Sequence, residues 1–72
     1  MTVYNNDTNT YEEVIAILMI ATGCDFEEAH MEAWEIDHLG ASTVHIEGKH
    51  ECEVVAAIIS QIGIRVEVSP NN

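Results

Sequence analysis

Basic residues are nearly absent: Lys49 and Arg65 stand against thirteen acids, a net charge of −11. A chain this acidic repels phosphate backbones and anionic headgroups, which sets nucleic acid and membrane surfaces aside as partners. Cationic groups, such as the α-amino terminus of another chain, are favoured instead. Cysteine is also scarce. Cys24 and Cys52 are spaced for neither a metal clip nor a thioredoxin-type motif, and two buried thiols in a cytosolic chain are expected. The four glycines all fall at helix ends or turns, leaving none for a phosphate-cradling loop. The longest apolar run, Val14 to Ala21, is far short of the roughly 20 residues that span a bilayer. The opening MTVYNNDTN has no basic or apolar signal region, so a cytoplasmic location is expected.

What is present fits one domain, residues 1–72, near the lower size limit for a core without metal or disulfide. Asp25 with Glu28 reads as a capping box, and Gly40 as the end of the helix it opens. Phe26, Ala29, Ala33 and Ile36 form that helix's apolar stripe, with Glu28, Glu32 and Glu35 on the solvent side. Upstream, Thr2–Tyr4 reads as extended and the Asn5–Asn9 run as a loop. Thr10 and Glu13 make a second capping box for a helix running to Gly23, apolar around most of its circumference and therefore expected inside the fold.

Downstream, Ser42 to Glu47 alternates as a strand with Val44 and Ile46 inward, and Gly48 to Glu51 breaks it. Cys52, Val55, Ile58, Ile59 and Ile62 give a third helix, closed by Gly63. Ile64, Val66 and Val68 give a last strand. The order is β-α-α-β-α-β, an α+β fold with a small antiparallel three-stranded sheet and its three helices on one side.

Catalysis finds little support. Ser42, Ser60 and Ser69 lie in no nucleophile elbow, and nothing brings Cys24 to a histidine, so the chain is not expected to be an enzyme. His45, His50 and Cys52 do not converge, and His30 and His38 are about two turns apart, so neither metal nor other cofactor is expected. Asp37 stands out because a carboxylate near a helix C-terminus opposes the helix dipole. Together with the oxygens of Asn5, Asn6, Asp7 and Asn9, it is the candidate ligand-binding group.

The ordered set Val3-Tyr4-Asn5-Asn6-Asp7, Thr10-Tyr11-Glu12-Glu13-Val14-Ile15, Glu27-Glu28-Ala29, Ile36, Gly40 and Gly63-Ile64-Arg65 resembles the ClpS family. Its members are adaptors of the Clp protease that recognise N-terminal degradation signals, with a fold also similar to the C-terminal domain of the ribosomal stalk protein. The resemblance implies α-amino recognition by Asn5, Asn6, Asp7 and Asp37, with Asn6 where an aspartate is usual and Asp37 where a histidine is usual. It implies a pocket for a bulky hydrophobic first side chain lined by Asn9, Tyr11, Val14, Ala33, Ile36 and Ile64, deeper at Ala33 and partly gated by Tyr11. Asp37 is expected to restore across the pocket the charge lost at Asn6, and His38 is one helical step, about 100°, out of place. The implied partners are N-terminal peptides of substrate proteins and a Clp-type AAA+ unfoldase, with no nucleic acid and no membrane. A shorter third helix and little chain before Val3 raise one alternative, a decoy that binds without delivery. A stalk-like interaction domain is a second, disfavoured because such domains present basic faces.

Overall fold

The computed structural model describes residues 1–6, 8–44 and 46–68. Its elements run β1 (Thr2–Tyr4), α1 (Tyr11–Thr22), α2 (Phe26–Leu39), β2 (Ala41–Thr43), α3 (Lys49–Ser60) and β3 (Val66–Glu67). This is the expected β-α-α-β-α-β order. The sheet order is β2-β1-β3, with β1 antiparallel to both neighbours. Val3 pairs with Ser42 on one side and Val66 on the other, and these residues face the core. Tyr4 and Glu67 lie on the opposite face, where the Tyr4 hydroxyl donates to the Glu67 carboxylate and the Arg65 guanidinium lies over the Tyr4 ring.

Both helix starts follow from their caps. Thr10 Oγ1 accepts from the Glu13 amide at 3.1 Å and Glu13 Oε1 accepts from the Thr10 amide at 2.8 Å, a complete capping box. That amide, with the Asn9 side chain, holds the Glu13 carboxyl below the usual carboxylate range. Asp25 accepts from the Glu28 amide at 2.9 Å, but Glu28 returns no bond, so the box expected there is half made. Gly40 ends α2 at φ +89°, a left-handed conformation that side chains with a Cβ resist.

The strand limits come out shorter than the alternation suggested. β1 offers three residues to pair, so β2 stops at Thr43, and one further bond, from the Val44 amide to the Met1 carbonyl, carries the contact on. β3 likewise reaches only Val66 and Glu67. The third helix starts earlier, at Lys49, because its first turn is polar and exposed and therefore invisible to apolar periodicity.

α1 packs against both α2 and α3 and buries Val14, Ile15, Ile17 and Leu18. It is not wholly interior, since Ile20 is 71% exposed. On α2 the stripe is Ala29, Ala33 and Ile36. Phe26, about 50° from its centre, stands 58% exposed with its ring against His30.

Two of the acids assigned to solvent on α2 are half-buried. Glu35 accepts a 2.6 Å bond from the hydroxyl of buried Ser42. Glu32 lies one turn earlier on the same side of the helix, nearer the stripe, where its Oε1 is buried and has no partner among the described residues. Burial, then the neighbouring Glu28 and Glu35 carboxylates, push its carboxyl above the usual range.

Two stability predictions follow from these local environments. Thr10→Ala removes the cap and should cost about 1 kcal/mol, read as a lower midpoint in urea denaturation. Glu32→Gln should stabilise the fold at pH 7 by on the order of 0.5–1 kcal/mol, because it removes a partly desolvated charge beside two other carboxylates, discounted for partial exposure. Because the folded state holds the Glu32 proton more tightly than the unfolded chain, that group's contribution falls as pH rises above the ordinary carboxylate value. The gain from Glu32→Gln should therefore shrink as pH is lowered through that interval, and an equal thermal midpoint at pH 7 would assign Glu32 no cost.

Candidate functional site

The polar loop and the end of α2 meet through backbone bonds. Gly40 turns the chain into β2, Ala41 pairs with Tyr4, and the Asn5 amide then donates to the Gly40 carbonyl at 2.9 Å. This sets the start of the loop one short step from the last turn of α2. On the other side the Thr10 cap fixes the loop exit at the first turn of α1.

Between these anchors lies a notch lined by Asn5, Asn9, Thr10, Tyr11, Val14, Ala33, Ile36 and Asp37. Val14, Ala33 and Ile36 are buried and form an apolar floor. Asn5 and Asp37 bring an amide and a carboxylate to the same opening. Asp37 is 57% exposed, so its charge remains hydrated and available.

The enclosed volume is about 20 Å³, room for about one water molecule. Tyr11 accounts for part of this closure. Its hydroxyl donates to the His30 carbonyl at 3.3 Å and its ring meets the His30 imidazole edge-on at 5.5 Å. The side chain is thereby held across to α2.

Of the residues singled out from the sequence, Asn5, Asn9, Tyr11, Val14, Ala33, Ile36 and Asp37 share this notch. Asp7 lies outside the described residues. Asn6 does not line the notch but braces the loop. Its Oδ1 accepts from the amides of Thr8 and Asn9, and its Nδ2 donates to Asn9 Oδ1 at 2.7 Å and the Gly63 carbonyl at 3.2 Å. An aspartate could not make the last two bonds, having no donor when ionised. Ile64 is buried in the core and is not on the wall of the notch. His38 is also off the wall, stacked on Trp34 at 4.4 Å with Nδ1 at 3.0 Å from the Trp34 carbonyl.

Thr10 is the lining residue that the sequence reading passed over. Its signal was present, because the N-cap of a helix whose next residue lines a pocket lies beside that pocket. Among the described residues, no three histidine, cysteine, aspartate or glutamate side chains gather as a metal site. No helix among the described residues is long and apolar enough to cross a membrane.

The family described as "ATP-dependent Clp protease adaptor protein ClpS" matches residues 1–67. The chain is also similar to the E3 ubiquitin-protein ligase ubr-1 of Caenorhabditis elegans, 37% identical over 49 residues, 68% of this chain. It spans only 2% of that relative's length. No solved structure matches the chain. With nearly its whole length matched, from the first strand through the last, the chain belongs to the ClpS family of Clp protease adaptors.

Proposed function

We infer that the notch captures the free N-terminus of other proteins and presents them to a Clp-type AAA+ protease, and that the domain itself is not catalytic. The observation that carries this reading is Asn5 and Asp37 on one opening above the floor of Val14, Ala33 and Ile36. An α-amino cation placed there donates a charge-assisted bond to the Asp37 carboxylate and a second to the Asn5 amide oxygen. The first side chain, bulky and apolar, goes to the floor. Since the notch at rest has room for about one water, that side chain enters only as Tyr11 swings off His30. Breaking one hydrogen bond and one ring contact is a small cost beside the burial of a leucine or phenylalanine, about 1.5–3 kcal/mol. Asn6 belongs to this reading as the brace of the loop, and Asp7 as a further carboxylate of the same loop.

The likeness to a stretch of a ubiquitin ligase favours a module whose constant task is capture, with delivery depending on the protein it serves. Capture without delivery is the second reading, and degradation of a tagged substrate by a Clp ATPase distinguishes it from the first.

Capture is tested by titrating peptides that begin with Leu, Phe or Arg beside N-acetylated copies. Acetylation should reduce affinity at least tenfold, and equal affinities would remove the α-amino group from the site. Asp37→Ala should weaken binding of the free peptides by about 1–2 kcal/mol, the scale of a hydrogen bond to a charged group reduced for exposure. An unaltered dissociation constant would place the ammonium elsewhere.

A further inference from the structure

The exposed side of α2 does not have the polar character of an ordinary solvent face. Phe26 and Met31, 58% and 66% exposed, stand out from it, and with Glu27 and His30 they frame an open hollow of about 250 Å³. The hollow adjoins the notch. His30 is one of its walls and is also the residue against which Tyr11, a wall of the notch, is held. An aromatic ring and a thioether make the hollow apolar, and Glu27 supplies one carboxylate at its edge.

That combination suits a cation on a long apolar stem. The methylenes of a lysine or arginine would lie along Met31 and the Phe26 ring, with the charged head near Glu27 and over the ring face. A glutamate or aspartate would instead meet Glu27 in a chain that already carries a net charge of −11.

Spacing indicates where such a side chain would come from. Measured along α2, Asp37 is about eight residues from the middle of the hollow, on the order of 12–13 Å at the helical rise. An extended peptide advances about 3.3 Å per residue. A chain start held at Asp37 and running back along α2 over Tyr11 and His30 therefore brings its fourth or fifth residue to the hollow. We propose that this hollow is a second subsite of the same groove, taking a lysine or arginine at the fourth or fifth position of a bound N-terminal peptide. The assignment rests on the capture of chain starts proposed above.

The test uses fluorescence anisotropy with two peptides that begin with leucine, carrying arginine or glutamate at positions four and five, each free and N-acetylated. The free arginine peptide should bind about three- to tenfold tighter than the free glutamate peptide, the scale of one exposed ion pair and one cation–π contact. Glu27→Lys should remove most of that preference. Glu53→Lys makes the same change of charge on the exposed side of α3 and should leave it intact. Equal binding of the two free peptides overturns the subsite, as does a preference lost equally in both variants, which would reflect net charge alone. If the free peptides bind no better than the acetylated ones, capture of the chain start fails, and the subsite with it.

Discussion

The 2.9 Å bond from the Asn5 amide to the Gly40 carbonyl is the contact on which the site depends. It continues the β1–β2 ladder by one rung beyond the Tyr4 and Ala41 pair. It also joins the two segments that carry the polar groups, a loop that follows a strand and a helix end that precedes one. Without it, Asn5 and Asp37 would belong to separate parts of the surface. Gly40 is what permits the join, since its left-handed backbone lets α2 end and β2 begin within one residue.

Around this contact the loop is held by its own side chains. Asn6 spends both of its donors and its acceptor on neighbours, reaching Asn9 within the loop and Gly63 ahead of β3. The loop is thus braced on itself and against the turn ahead of β3. An asparagine in place of an acid gives up a charge and gains the amide protons that this brace needs. The carboxylate at the opening comes from Asp37 instead, at a helix end where it is solvent-exposed and opposed by the dipole. A group placed against its helix dipole gains when a cation arrives, which suits a binding residue better than a structural one.

The family and the order of elements were legible from the chain. Capping residues, helix-ending glycines and apolar periods are local signals, and each was read where it occurs. Element limits were less legible, because β2 and β3 end where their partner β1 ends, and α3 begins in a polar turn. Most of the notch was also legible. Ile64 and Asn6 were the residues whose placement differed, one buried in the core and one committed to the loop.

Taken alone, the amino-acid sequence determined the helix starts at Thr10 and Asp25, the turns at the glycines and an acidic surface with almost no basic residue. These depend on backbone bonds within a few residues and on composition, which folding does not alter. Only the tertiary structure decided that Tyr11 bridges to His30 and narrows the notch to about 20 Å³. Only it decided that Glu32 loses water at Oε1 while Phe26 keeps it. Those outcomes are set by which neighbour lies across an interface, and residues nineteen apart along the chain, such as Tyr11 and His30, meet only once the helices have packed.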